Sequence, residues 1–134
     1  MVVMDIKLQV NAIMLGVDDV ARAKKFYVEG LGCEVEQDYP GFVRCGLGEG
    51  SSSLVLYARE AVAQDAGVPA EGSGFRGCSF HFITDSRAAV DEAMRAAVAA
   101  GGTTVSEAAA AEWGGYSGYF SDPDGHLWKV ATEA

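Results

Sequence analysis

The spacing of hydrophobic residues along the chain predicts strands and helices in an order that occurs twice. Residues 8–17, "LQVNAIMLGV", form an apolar run that predicts a buried strand. Across residues 18–30 the apolar side chains recur at helical spacing, after two aspartates that suit a helix N-terminus and before a glycine that suits its end. Three further strands are predicted at 33–38, 41–48 and 52–59.

The second half of the chain repeats this order. A strand is predicted at 75–84, and a helix from Ser86 to about Ala100 follows it with Val90, Met94 and Ala97 on one face. Three more strands are predicted near 102–107, 115–121 and 126–132. Residues 60–74 are mainly Ala, Gly and polar residues, with one Pro, and show no clear period, which predicts a connector.

The repeated order predicts an α+β fold in one domain, residues 1–134. It divides into module one (8–59), the connector and module two (75–132), and each module has the order β-α-β-β-β. A module of four short strands cannot bury its own sheet, so the two modules must pack together.

Two stretches resemble the opening and closing parts of modules in the vicinal oxygen chelate superfamily, which includes glyoxalase I, extradiol dioxygenases and bleomycin-resistance proteins. They are "LGVDDVARAKKFYVEGLG", which opens module one, and "YFSDPDGHLWKVA", which closes module two. The resemblance implies a single glyoxalase-like domain whose two modules form a curved mixed sheet around a cavity. It also implies that a second chain often completes this cavity in a homodimer.

The "DPDG" turn in the closing stretch has a structural interpretation. Pro123 presets φ at the second turn position, the Asp122 side chain can accept bonds from backbone N–H groups, and Gly125 tolerates the positive φ needed to leave the turn. The alternative is a phosphate-binding loop, but this turn is acidic and no helix follows it. We therefore predict a plain turn.

The resemblance implies that metal-using relatives place His, Gln or Glu ligands on the first and last strands of each module. In the family's spacing these positions are Ala12 and Cys78 on the first strands, and Val55 and Lys129 on the last strands. Ala12 and Val55 carry no metal donor, and Lys129 brings a cation. We predict no family-type metal centre and no cofactor.

An apolar and aromatic lining is predicted for the cavity, typical of a small-molecule pocket in which one or two polar groups set orientation. The candidate ligand-binding residues are Met14, Cys78, Phe80, Phe82, Trp113, Tyr116 and Lys129, with Leu56 or Tyr57 beside them. Lys129 can pair with an anionic group of a ligand or with an internal carboxylate such as Glu112. Alternatively, it lies on a sheet rim with its head in water.

Other reactive side chains favour structural roles. His81 alternates with Phe80 and Phe82, which predicts a packing histidine directed toward the helical layer, and His126 is predicted to be exposed. Cys78 is predicted to face the cavity as an inert small residue, with a nucleophile as the alternative. Trp113, on a Gly-flanked loop, can cover a ligand, whereas Trp128 is predicted to pack under a helix.

Composition narrows the possible partners. The chain is 49% hydrophobic and 22% charged, and its net charge of −9 disfavours nucleic acid and anionic lipid. No apolar stretch approaches the length of a membrane span, and the N-terminus lacks a signal-peptide pattern. Three separated cysteines suit reduced thiols, so a cytoplasmic location is expected.

The favoured hypothesis is a metal-independent, homodimeric protein of the glyoxalase and bleomycin-resistance type. It binds an aromatic or amphipathic small molecule in a concave cavity without transforming it, as the resemblance implies. The alternatives are a glyoxalase-like or dioxygenase-like lyase or isomerase with a metal at other positions, a metal-free enzyme using Lys129, Cys78 or Tyr116 as acid or base, and a subunit with a vestigial cavity.

Overall fold

The computed structural model describes residues 8–72, 74–112 and 114–134. Its strands form two four-stranded sheets, one for each module. Module one contains β1 (Ala12–Val17), β2 (Glu34–Tyr39), β3 (Phe42–Gly46) and β4 (Ser53–Ala58), and module two contains β5 (Phe80–Ile83), β6 (Thr103–Ala110), β7 (Tyr116–Ser121) and β8 (Leu127–Thr132). Sheet one has the order β1-β4-β3-β2, and sheet two has the order β5-β8-β7-β6.

Both sheets are mixed, because the first and last strands of each module pair in parallel while the other neighbours pair antiparallel. The predicted α+β class with two β-α-β-β-β modules is therefore confirmed. In each sheet the first strand lies at an edge, and the last strand lies inside the sheet next to it.

Helices cover one face of each sheet. In module one, α1 (Val20–Lys24) continues directly into a π-helix, Lys25–Gly30, and in module two α3 (Arg87–Ala99) occupies the corresponding place. The side chains of Asp19 and Ser86 accept hydrogen bonds from the first free N–H groups of α1 and α3. Among the described residues, no helix is long and apolar enough to cross a membrane.

The predicted connector contains a helix that the sequence analysis missed. Helix α2 spans Arg59–Ala66 and ends at Gly67, whose left-handed φ of 77° lets its N–H bond the carbonyl of Ala63. This helix passes close to β1, because a Cβ on Gly16 would lie 3.0 Å from the Arg59 Cα. The run of good helix formers before Gly67 was the available signal.

The core lies between the sheets and α1, the π-helix and α3. On α3 the buried residues are Val90, Met94 and Ala97, as the helical spacing predicts. Leu54 and Leu56 of β4 are fully buried on the same side of sheet one as the π-helix residue Phe26. We call the opposite face of each sheet, which points away from this core, its open face.

The turn that follows β7 folds as its sequence predicts. The Asp122 Oδ1 atom accepts hydrogen bonds from the backbone N–H groups of Asp124 (2.9 Å) and His126 (2.8 Å), and Gly125 has a φ of 89°. His126 is half-buried instead of exposed, since its Nε2 atom lies 3.0 Å from the Gly16 carbonyl oxygen of module one. The turn thus contacts the other module.

A buried hydrogen-bond chain, which we call the module latch, joins the modules through Tyr27, Asp122 and Trp128. The Tyr27 hydroxyl donates to Asp122 Oδ2 at 2.6 Å and accepts from Trp128 Nε1 at 3.1 Å. Tyr27 is 1% exposed and Asp122 is 2% exposed. Burial raises the pKa of Tyr27 well above its usual range, and the neighbouring Asp122 carboxylate raises it further.

Candidate functional site

The two modules can be aligned through their helix caps. Asp19 caps α1 and Ser86 caps α3, which gives an offset of 67 residues (86 − 19) between equivalent positions. The equivalent of Ala12 is therefore Ser79, not Cys78, and the equivalent of Met14 is His81. The prediction of Cys78 was wrong by one residue because it paired Ile83 with Val17, whereas Thr84 is the equivalent of Val17.

A one-residue slip exchanges the two faces of a strand, and the faces of β5 are the reverse of those predicted. The Phe80 ring packs 4.9 Å from the ring of Trp128, which belongs to the core side of β8. His81 pairs instead with Lys129. The prediction that His81 points toward the helical layer is therefore wrong, and His81 lies on the open face of sheet two.

Lys129 lies near the middle of that open face. Its strand, β8, is flanked by β5 and β7, and Lys129 pairs with His81 on one side and Tyr119 on the other. The Lys129 Nζ atom stands 5.9 Å from the centre of the Tyr119 ring. His81 is exposed, and its Nε2 atom is 3.3 Å from the Ser79 hydroxyl. We call Ser79, His81, Tyr119 and Lys129 the lysine cluster.

The ammonium group of Lys129 has no carboxylate partner among the described residues. The ion pairs found there are Arg22–Asp124, Lys24–Asp38 and Arg44–Glu36. The Arg44–Glu36 pair can be compared with Lys129. Val55 is the module-one equivalent of Lys129, and Arg44 lies opposite Val55 on the neighbouring strand. Glu36 accepts from the Arg44 Nε at 3.3 Å, so the cation on open face one is neutralised internally.

The family's metal positions do not supply a donor set. They are Ala12 and Val55 in module one and, with the corrected alignment, Ser79 and Lys129 in module two. Two of these side chains have no donor atom, and a protonated lysine repels a divalent ion. Across the described residues, no group of three or more His, Cys, Asp or Glu side chains is arranged to hold a metal ion. The residues present therefore do not fit the metal that the resemblance implies.

The seven predicted ligand-binding residues are not gathered into one site. Met14 is on the open face of sheet one, 46% exposed, whereas Cys78 is exposed on the loop before β5. Tyr116 lies on the helix side, where it donates to Asp91 at 2.7 Å, and this hydrogen bond raises the pKa of Tyr116. Trp113 lies outside the described residues.

Phe80 and Phe82 line a different space, a cleft of about 1270 Å³ between the modules on the helix side. Its aromatic wall also includes Tyr27, Phe120 and Trp128, and α3 and the segment after the π-helix form the other sides. Of the two remaining candidates, Leu56 is buried in the core, whereas Tyr57 packs against Phe42 with ring centres 5.8 Å apart. Ser79 and His81 of the lysine cluster also line this cleft, so the cleft and the lysine cluster meet at the edge strand β5, whereas Lys129 and Tyr119 do not line it.

Sequence reasoning missed Tyr119 and the Glu36–Arg44 pair. Tyr119 could have been found, because the four-residue turn of the closing hairpin fixes which residues of β7 and β8 pair. The Glu36–Arg44 contact follows a register shift in β2, between Val35 and Gln37. A bulge of this kind leaves no clear signal in an alternating pattern.

The geometry agrees with comparisons to known proteins. A family model described as Glyoxalase/Bleomycin resistance protein/Dioxygenase superfamily matches residues 9–130. A glyoxalase-related enzyme from Fulvimarina pelagi is 30% identical, with 92% of this chain and 87% of that chain covered and a TM-score of 0.81. A lactoylglutathione lyase from Agrobacterium tumefaciens is 26% identical, with 92% of each chain covered and a TM-score of 0.69. A search of curated proteins found no significant match.

Proposed function

This chain belongs to the Glyoxalase/Bleomycin resistance protein/Dioxygenase superfamily, and we propose that it binds a small anionic ligand, aromatic or amphipathic, without transforming it. The ligand lies against the open face of sheet two, and the lysine cluster holds its anionic group. No metal takes part, because the family's metal positions offer no suitable donor set. The observation that supports this proposal is the ammonium group of Lys129, which lies on an interior strand and has no carboxylate within ion-pair distance in the described part of the chain.

The surroundings of Lys129 favour an anion attached to an apolar body. Lys129 is half-buried on an interior strand, so its apolar stem lies along the sheet face while its ammonium group stays available to a ligand. A carboxylate that pairs with this ammonium forms a charge-assisted hydrogen bond. The ring of Tyr119 lies beside the cation and offers a flat surface to an aromatic group, while Ser79 and His81 supply further polar contacts.

We propose that a second copy of the chain closes this surface in a homodimer. Large apolar side chains are exposed on the open faces, with Met14 46% and Ile83 64% exposed, and β1 and β5 are both edge strands. Isologous pairing of two chains is the commonest way to cover such edges and faces. Light scattering should give twice the mass of the chain at micromolar concentration. A monomeric mass that does not change with concentration would contradict this assembly.

The binding proposal is tested by calorimetric titration with two ligands of the same shape. One is an aromatic carboxylate such as 2-naphthoate, and the other is its neutral alcohol. Lys129→Met keeps the apolar stem and removes the charge, so we expect roughly ten- to a hundredfold weaker binding of the carboxylate and little change for the alcohol. Lys25→Met is the matched control, because Lys25 is exposed on the π-helix, far from the open face in the fold.

An acid–base enzyme is the second candidate function. It is favoured by the similarity to the lactoylglutathione lyase and by the position of His81 beside Ser79 and Lys129. His81 replaces Cys78 and Tyr116 as the candidate base, because it is exposed on the same face as the lysine. Nuclear magnetic resonance spectra of each bound ligand over several hours distinguish the two functions. A ligand that stays unchanged supports binding, whereas conversion that His81→Ala abolishes supports the enzyme.

A further inference from the structure

The open face of sheet two differs from the rest of the chain in the charges that it carries. The chain has 19 acidic and 10 basic residues, which give a net charge of −9. Among the described residues that pair across β5, β8, β7 and β6, however, none is Asp or Glu. On the open face of these strands Lys129 carries a positive charge, and His81 can gain one. This face is therefore a positively charged surface on an acidic protein.

Six hydroxyl groups share this face with Lys129 and His81. Residues two apart on a strand, and residues opposite one another on neighbouring strands, lie on the same face of a sheet. By these rules the hydroxyls of β7 and β6 lie on one side of Lys129, and a serine before β5 lies on the other side, with its hydroxyl 3.3 Å from His81 Nε2. A hydroxyl can donate a hydrogen bond to an anion without carrying a charge of its own. The six residues are Ser79, Thr103, Ser106, Ser117, Tyr119 and Ser121.

The carboxylates nearest in the fold do not neutralise this face. Glu107 belongs to β6, but it lies in a bulge where β6 is out of register with β7. Because β6 is two strands away from β8, Glu107 is roughly 10 Å from the strand that carries Lys129. On the open face of sheet one, by contrast, Glu36 accepts from Arg44 and, at 2.7 Å, from the Ser53 hydroxyl. Sheet one thus supplies its own carboxylate, whereas sheet two offers its donors to an anion from outside.

We propose that the anionic group held by the lysine cluster is a phosphate monoester, so that the ligand is the phosphate ester of an aromatic or amphipathic alcohol. This inference rests on the proposed function, since it names the head group of the same ligand. A carboxylate has two oxygens and one charge, whereas a phosphate monoester has three terminal oxygens and a charge of about −1.5 to −2 at neutral pH. Neighbouring strands lie about 4.8 Å apart, so His81 and Lys129, which are directly opposite each other, can both contact one such head group.

His81 is the residue that distinguishes a dianion from a monoanion. The ammonium group of Lys129 balances one negative charge, and a second charge requires another cation or further donors. An imidazole donates one N–H bond when it is neutral and two when it is protonated, and a dianion beside it favours the protonated form. The hydroxyls of Ser79 and Tyr119 can serve the remaining oxygen. His81 is therefore a specificity-determining residue for the charge of the head group.

The cleft beyond β5 limits where the head group can lie. Ser79 and His81 also border this cleft, but four carboxylates line it and repel a dianion. The head group therefore lies on the open face and not in the cleft. Ile83 is 64% exposed two residues after His81, on the same face, and offers an apolar surface to the body of the ligand. The four carboxylates are those of Glu34, Glu36, Glu49 and Glu92.

The test is calorimetric titration at about pH 7.5 with three ligands that share a naphthyl body. The ligand 2-naphthyl phosphate is a tetrahedral dianion, 2-naphthyl sulfate is a tetrahedral monoanion, and 2-naphthoate is a planar monoanion. We expect the phosphate to bind about tenfold more tightly than either monoanion, because it alone presents a second charge to His81. Inorganic phosphate lacks the apolar body and should bind roughly a hundredfold more weakly than the ester. Equal affinity for inorganic phosphate and the ester would overturn the assignment of an ester ligand.

Two variants separate the head-group inference from the proposed function. His81→Ala should weaken the phosphate about tenfold and change both monoanions by less than about twofold, whereas Lys129→Met should weaken all three ligands. Equal wild-type affinities for phosphate and sulfate, both weakened by Lys129→Met, would overturn the head-group inference and leave the proposed function intact. A preference for phosphate that survives in His81→Ala would overturn the role of His81. If Lys129→Met leaves all three affinities unchanged, the proposed function fails and the inference fails with it.

Discussion

Replacing Tyr27 by Phe removes one oxygen atom from the centre of the module latch. The Asp122 carboxylate then loses its side-chain donor, and the Trp128 N–H loses its acceptor, in a region where Tyr27 is 1% exposed. A hydrogen bond to a charged group contributes about 1.5–3 kcal/mol, and a buried unsatisfied donor costs about 1–3 kcal/mol. Because Asp122 keeps two backbone donors, we expect a total loss of about 2–4 kcal/mol, or roughly 10 °C in melting temperature.

The same substitution should change the dependence of stability on alkaline pH. The folded protein holds the Tyr27 proton more tightly than the unfolded chain does, because burial and Asp122 raise its pKa. This contribution is complete below the unfolded pKa of about 10. Above that pH the unfolded chain ionises first, so wild-type stability should fall by up to about 1.4 kcal/mol per pH unit from this group. Tyr27→Phe should lack this component.

Urea unfolding followed by tryptophan fluorescence, at pH 7 and at several values from 9.5 to 11, measures both effects. Tyr39→Phe is the matched control, because Tyr39 is 59% exposed, and it should change stability by less than about 0.5 kcal/mol. A loss at pH 7 no larger than in Tyr39→Phe would refute the account of the latch. So would an alkaline slope that is the same in wild type and Tyr27→Phe.

Two further predictions concern packing and metal. Gly30→Ala should lower the free energy of unfolding by about 1–3 kcal/mol in urea titrations, because its Cβ would lie 2.3 Å from the Ala100 Cβ; a loss equal to that of the exposed neighbour Glu29→Ala would contradict this. Protein exposed to nickel, zinc or iron and then desalted should retain well under one ion per chain by elemental mass spectrometry, because Ala12, Val55, Ser79 and Lys129 do not form a donor set. Near-stoichiometric metal, with a melting shift on chelation, would contradict that assignment.

Much of the fold could be predicted because local signals and tertiary packing agree. The helical spacing of Val90, Met94 and Ala97 identified the buried face of α3, and "DPDG" identified the turn that joins β7 and β8. The contacts of that turn with the other module could not be predicted. They join residues about a hundred positions apart, such as Tyr27 and Asp122, and no periodic pattern encodes such a distance.

The site was harder to predict than the fold, because it depends on the face of one short strand. The run "FRGCSFHFIT" was predicted as a strand from residue 75, but β5 contains only Phe80–Ile83. Aligning it one residue out of place assigned the open face to Cys78 and the core side to His81. Apolar residues occur on both faces of β5, so the alternation of polar and apolar residues could not show which face is buried. The pairing of β5 with β8 shows it, because His81 pairs with Lys129 on the open face and Phe80 pairs with Trp128 on the core side.

The most direct test of the binding proposal is to locate a bound anion in the protein. Amide chemical shifts of ¹⁵N-labelled protein are recorded during titration with 2-naphthoate. The proposal predicts that the largest shifts occur at His81, Tyr119 and Lys129, and that Lys129→Met weakens them at equal ligand concentration. Shifts concentrated at Leu31 to Glu36 and along α3, unaffected by Lys129→Met, would place the ligand in the cleft between the modules and contradict the assignment of the lysine cluster as the binding site.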